Sequence, residues 1–404
     1  MKESTVLEQI CQMIGIERLA ERGRETGANR YSKGLTVERL LLVLAAAQIR
    51  RAESLRDTAQ LCSEDKALRE VVGLDALGRS TLSDALVRFD AGLFENLFRE
   101  AADKFSHRLR KERGKALRDI LTLVDSTTIT LPLSSHAWAS YQHALGAVKA
   151  HMALEQAGDA IYPTQIILTN GKIADISIAK TRLTPRPDSI LVADRGYEDK
   201  HLFRMNALQG MRFVIRAKNN TYYYPVGDVP RALSQGTISD EYVVTRIEDL
   251  PRRGVPRLRK IVLPPFDGHE RPITIITNLL GRTAAEIGEM YRKRWRIEIF
   301  FRFLKTRPHI TKLYGTSENA IRIQIAVCGL VALALAYLSM LAEQALASIG
   351  GPTVCLRRLR YCLLSAYNLA ELLLRPLHTK KRALSSSIPP LIPPIQLTLP
   401  LVFA

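Results

Sequence analysis

The stretch Tyr291-Arg-Lys-Arg-Trp-Arg-Ile-Glu-Ile-Phe-Phe-Arg-Phe-Leu-Lys305 limits what the chain can fold into more than any other. Read as a helix at about 100° per residue, Tyr291, Arg294, Glu298 and Lys305 fall within roughly 60° of one another. Ile297, Phe300, Phe303 and Leu304 fall in a second sector roughly 150° away, giving an apolar back that can dock on a sheet and a polar front. Residues 291–307 carry seven Lys or Arg around a single carboxylate, Glu298. One explanation is intrahelical: Glu298 pairs with Arg294 or Arg302 at a spacing of four, each pair contributing about 0.2–0.5 kcal/mol. The other is that Glu298 ligates a metal while the neighbouring cations grip the phosphates of a nucleic acid. Partner carboxylates elsewhere in the chain decide between them.

Charge points to the same class of partner. The 404 residues hold 58 Lys and Arg against 40 Asp and Glu, a net charge of +18. A polyanion is the natural partner, nucleic acid before an anionic membrane surface. Basic residues cluster again between Arg108 and Arg118 and between Arg252 and Lys260. Five cysteines with no Cys-x-x-Cys pair argue against a disulfide framework or a zinc knuckle and for a reducing compartment, so a cytoplasmic location is expected. The start of the chain lacks a charged segment followed by an apolar one, so no secretory signal is expected. The uncharged run from Ile325 to Ala342 is near the lower length limit for a membrane span. Rich in Ala and without a second candidate span, it predicts a buried helix; a membrane anchor is the alternative.

Residues 1–118 read as helical, with Ser54-Leu-Arg-Asp as a capped helix start. Two short helices separated by a turn, the second opened by Ser80 and Thr81 with Arg79 and Arg88 nearby, suit a helix-turn-helix for a DNA groove, though any α domain uses such helices. From Asp119 the period changes. Residues 120–131 alternate and are β-branched; 147–155 and 161–169 follow as strands, with Ala157-Gly158-Asp159 as the turn between them. A polar segment that can form a helix precedes a short buried strand at Ser189–Asp194, a helix from about Glu198 to Leu208 and a strand at Met211–Arg216. The expected fold class is α/β, a mixed sheet flanked by helices. Strand-like pieces starting at Thr221, Glu241, Arg259 and Ile273, separated by Gly, Pro and charged loops, predict a β-rich insertion over 218–277. The chain then returns to the main domain with the Glu298 helix and runs on as helix, ending in a Pro-rich tail.

Asp125 sits within or at the end of the first core strand and Asp194 at the end of a later one, where such sheets collect ligands. Alone, either aspartate reads as a cap or a turn. With Glu298 on a helix packed on the same sheet, they make three hard oxygen ligands suited to Mg²⁺ or Mn²⁺, in the two-ion arrangement of phosphodiester chemistry. No Cys/His spacing competes for zinc. Trp295 projects close to Tyr291 and is either a base-stacking platform or core. Lys149 and His151 share a face of the second strand and offer either a phosphate or water contact near Asp125 or a structural hydrogen bond. His136, His143, His269 and His309 show no ligand spacing and read as surface or loop residues.

The spacing of Tyr291, Arg294, Glu298 and Lys305, with Arg294-Trp295-Arg-Ile-Glu298 and the contexts Val-Asp125-Ser-Thr and Ala-Asp194-Arg-Gly-Tyr197, resembles the bacterial insertion-sequence transposases of the DDE type. Within them it is similar to the IS-four-like group marked by Tyr-x2-Arg-x3-Glu-x6-Lys, over about residues 36–345. The resemblance implies an RNase H-like catalytic domain (119–217 and 278–315) interrupted by the β-rich insertion (218–277). A helical DNA-binding region (1–118), a helical C-terminal region (316–380) and the tail (381–404) flank it. It implies catalytic and metal-ligating Asp125, Asp194 and Glu298, two Mg²⁺ or Mn²⁺ ions, and a cut-and-paste reaction with no covalent protein intermediate. Tyr291, Arg294 and Lys305 would hold the DNA end, with Trp295 and Arg302 beside them. The implied partners are double-stranded terminal inverted repeats, target DNA and a second copy of the chain, acting in the cytoplasm and on the nucleoid, with no membrane. Two rivals remain: an RNase H-like nuclease without strand transfer, and a transposase-derived DNA-binding protein.

Overall fold

The computed structural model describes residues 4–345 except 31, 33, 114–118, 133–139, 143–144, 159, 219, 251–254, 267–269 and 307–312; beyond 345 it describes only 359, 362–365 and 369. The chain divides into two compact units: residues 1–101 with 307–315 and 319–404, and residues 102–306 with 316–318.

The first unit is helical. It contains α1 (Val6–Met13), α2 (Ile16–Glu25), α3 (Val37–Arg50), α4 (Leu55–Glu64), α5 (Lys66–Val72), α6 (Arg79–Arg88), the first part of α7 (Ala91–Arg113) and all but the first residue of α12 (Glu318–Ala345). Thr5 and Glu8 close a capping box on α1, and the Ser54 side chain caps α4 as its sequence predicts. α3 is buried without a break from Leu40 to Ile49. The long apolar stretch belongs to α12, which is apolar enough to cross a membrane by composition, but 94% of that stretch is buried against protein. Polar anchors fix it: Gln48 donates to the carbonyl of Gln324 at 2.9 Å, and Arg322 pairs with Glu95 at 2.7 Å. The predicted two-helix element has a third helix, α5, inserted between α4 and α6. Its second cation is engaged, since Arg88 donates to Ser32 and to the Leu35 carbonyl, both at 3.2 Å.

The second unit is built on one ten-stranded sheet. Its strands are β1 (Ile120–Pro132), β2 (Ser140–Gln142), β3 (Leu145–Ala157), β4 (Ala160–Asn170), β5 (Ser189–Ala193), β6 (Arg212–Arg216), β7 (Tyr224–Asp228), β8 (Ser239–Val244), β9 (Leu258–Leu263) and β10 (Ile273–Thr277). Its helices are α8 (Asp175–Thr181), α9 (Lys200–Leu208), α10 (Ala284–Arg292) and α11 (Trp295–Thr306), with the end of α7. The spatial order is β3-β1-β5-β6-β10-β9-β8-β7, with β2 and β4 both paired to β3. β1 runs antiparallel to β3 and parallel to β5, and β5 runs parallel to β6. This mixed sheet with helices around it is the RNase H-like arrangement expected from the sequence. The strands of 218–277 continue that sheet: β10 pairs antiparallel with β6, and β9, β8 and β7 follow antiparallel. β5 is buried on both faces, as a central parallel strand must be. Phe203 of α9 stacks on Phe213 of β6 at 4.9 Å, in a core that reaches Val124, Ala193, Tyr197 and Ile276.

Candidate active site

The helix expected over 291–305 is two helices. α10 ends at Arg292, Lys293 and Arg294 form a turn, and α11 starts at Trp295. The hydrogen bonds tighten to a three-residue reach across the junction, Arg294 N to Tyr291 O, Arg296 N to Lys293 O and Ile297 N to Arg294 O, each 3.0 Å, so the wheel slips in phase there. The buried side of α11 is Ile297, Phe300, Phe301 and Leu304; Phe303 is only half-buried.

The junction turns Tyr291, Arg294 and Glu298 toward the sheet. β1 and β5 are parallel neighbours with Val124 opposite Ala193, so Asp125, inside β1, and Asp194, the first residue after β5, follow at the same level. Tyr291, 3% exposed, sends its hydroxyl to 3.4 Å from Asp194 Oδ1. The Arg294 guanidinium, largely buried, donates to Glu298 Oε1 at 2.7 Å and reaches Asp125 Oδ2 at 3.5 Å, while its Nε is buried without a partner. Burial pushes the Asp125 carboxyl up to about 6; the Ser126 amide and Arg294 oppose that, and Asp194 and Asp175 add to it.

Of the other residues predicted for DNA, Trp295 is 52% exposed, Arg302 is exposed and Lys305 is half-buried. Ile299, one turn after Trp295, is 50% exposed. Beside Asp194 opens a cleft lined by Arg195, Gly196, Lys218 and Asn220. Lys149 and His151 turn to Asp175: Lys149 Nζ is 3.0 Å from Oδ2 and His151 Nδ1 is 3.0 Å from Oδ1. The structural alternative for that pair therefore holds, but their partner, Asp175, carries no motif signal, lying in the polar segment after β4. His136, His143, His269 and His309 fall outside the described residues.

A divalent cation matches the chemistry of this site. Two carboxylates on adjacent strands, one with its ionisation opposed by burial, are stabilised by a hard dication, and both are oxygen donors. The gathering is incomplete for a three-acid shell. Among the described residues no three of His, Cys, Asp and Glu come close enough to hold one ion, and Glu298 is paired with Arg294.

Asp125 and Asp194 thus stand on adjacent parallel strands of an RNase H-like sheet, with Glu298 on a flanking helix. Residues 116–335 match the transposase DDE domain, more than half of the chain, and the chain belongs to that family. Residues 2–71 match a domain of unknown function, DUF4372. Among relatives, the probable transposase for insertion sequence element IS5377 of Geobacillus stearothermophilus is 26% identical, over 80% of this chain and 82% of its own length. The y4zB protein of Sinorhizobium fredii is 27% identical over 61% of this chain and 68% of its own. The protein of insertion sequence element IS4SA of Synechocystis sp. is 26% identical over 62% and 68%. Both of these also carry transposase in their names. The protein is a DNA transposase, an enzyme that depends on a divalent metal.

Proposed function

We propose that this is a cut-and-paste transposase of the Tyr-x2-Arg-x3-Glu-x6-Lys group, with Asp125, Asp194 and Glu298 as its catalytic acids. The observation that carries this reading is the level pairing of Val124 with Ala193, which brings Asp125 and Asp194 side by side under the Arg294–Glu298 pair. These acids would hold two Mg²⁺ or Mn²⁺ ions, which when bound activate the attacking oxygen and stabilise the leaving one. Arg294 keeps Glu298 and Asp125 oriented until an ion and DNA compete for them. Tyr291 holds Asp194 through its hydroxyl. Trp295 and Arg302, exposed on α11, and Lys305 face the DNA end, Trp295 as a stacking surface and the cations on phosphates.

The DNA partners are the terminal inverted repeats of the element and its target, bound by a homodimer, with residues 1–118 contributing DNA contacts. The enzyme works in the cytoplasm, on the nucleoid when bound. The test is cleavage of the element's end by the full chain with Mg²⁺. Asp125→Ala, Asp194→Ala and Glu298→Ala should each lower cleavage at least about a thousandfold, the scale of several kcal/mol of metal-supplied stabilisation. End binding in a gel shift should stay within a few fold. Cleavage retained by any one variant removes that residue from the site.

A further inference from the structure

Asp175, in the first turn of α8, is the hub of a compact polar cluster beside the two aspartates. Its Oδ2 accepts from Lys149 Nζ at 3.0 Å. Its Oδ1 lies 3.0 Å from Nδ1 of His151, whose ring is fully buried, though the two atoms are not lined up for a straight hydrogen bond. The Ser126 side chain adds a hydrogen bond. Burial alone would raise this carboxyl, but His151, Ser126 and Lys149 hold it down to about 2. On its other side the ring sets Nε2 2.9 Å from Thr169 Oγ1.

The cluster lies against the segments that carry both aspartates. His151 and Lys149 stand on β3 opposite Ser126 and Thr128, so Asp175 ties the β1–β3 pair together just past Asp125. A Cβ added at Gly196 would lie 4.0 Å from Asp175 Oδ2, so the turn that carries Asp194 runs against the same carboxylate. The Tyr197 hydroxyl of that turn is buried without a hydrogen-bond partner and senses the charges of Asp175, Asp125 and Asp194.

We propose that Asp175 is a positioning residue of the transposase, holding Asp125 and Asp194 at the spacing and in the field that a divalent ion requires. The inference rests on the assignment of Asp125 and Asp194 as metal-binding acids. The test uses the full chain, Mn²⁺ titrated alone by calorimetry, and kcat and KM for end cleavage. Asp175→Asn should weaken Mn²⁺ binding and lower kcat, each about tenfold, the usual scale for a partner behind a metal ligand, with KM for DNA within about twofold. Ser126→Ala, which removes one hydroxyl, should move both in the same direction by a few fold, about the worth of one hydrogen bond. A folded Asp175→Asn with wild-type Mn²⁺ affinity and kcat overturns the proposal. If that variant does not fold, Ser126→Ala with both values unchanged overturns it. Asp125→Ala run in parallel separates the layers: if it keeps Mn²⁺ binding and cleavage, the catalytic assignment itself falls. If it loses both while Asp175→Asn keeps both, only the positioning role falls.

Discussion

On β9, at one side of the sheet, Arg259 is fully buried and each of its three guanidinium nitrogens has a partner. Its Nε gives 2.8 Å to Asp240 Oδ1, Nη2 reaches the other Asp240 oxygen and the Leu233 carbonyl, and Nη1 takes the Arg282 carbonyl. At the α10–α11 junction, beside Asp125 of β1, the Arg294 side chain is 12% exposed, its hold on Asp125 is at 3.5 Å and its Nε has no partner. Both are arginines among carboxylates of one unit. The first is saturated and locks strands; the second leaves valence unmet and acids that another cation can claim. Buried ion pairs therefore do not mark a site by themselves. Incomplete satisfaction around Asp125 is what sets the second apart.

That contrast can be broken at its saturated end with the largest effect on stability. Arg259→Ala strands Asp240 in the interior and should cost about 3–5 kcal/mol in urea unfolding, whereas Asp125→Asn, which removes a carboxylate from a poorly satisfied place, should leave stability at or above wild type. Equal losses from both would erase the distinction. On the functional side, Trp295→Ala should weaken DNA-end binding by about 1–3 kcal/mol with an unchanged melting temperature, as expected of an exposed stacking face. A melting shift without a binding change would make Trp295 a packing residue. Smaller still, Arg302→Ala or Lys305→Ala should reduce the slope of log affinity against log salt by about one phosphate's worth. An unaltered slope would mean that neither side chain reaches phosphate.

The smallest expected effect lies at the opposite end of β5, where Asp188 is held below the ordinary carboxylate range; burial opposes this and Arg110 produces it. A depressed carboxyl stabilises the fold above its unfolded value of 3.8, and that contribution is lost as pH falls through its lower folded value. Asp188→Asn should therefore lower the melting temperature slightly at pH 7 and not at pH 2. A difference that persists at pH 2 would trace the effect to packing.

Several parts of this enzyme were legible in the chain because they are local. Alternation marked β1, the buried run marked β5, and the spacing of Tyr291, Arg294, Glu298 and Lys305 with the two aspartate contexts named the family that the domain match bears out. Period and motif depend only on near neighbours, and a residue's own element follows from them. What the chain could not state was who stands beside whom. The level of Asp125 with Asp194 comes from the parallel register of β1 and β5, set by strands about seventy residues apart in sequence. The split of the signature helix comes from tight turns at Lys293 and Arg294 that bring Arg294 to Glu298 and Asp125. The fusion of β7–β10 onto the same sheet rests on the pairing of β10 with β6. Asp175 gains its place only because β3 and β1 pair in register under α8. Apart from the helix split, whose bonds span three or four residues, each rests on contacts between distant segments, and no short window of sequence contains both partners.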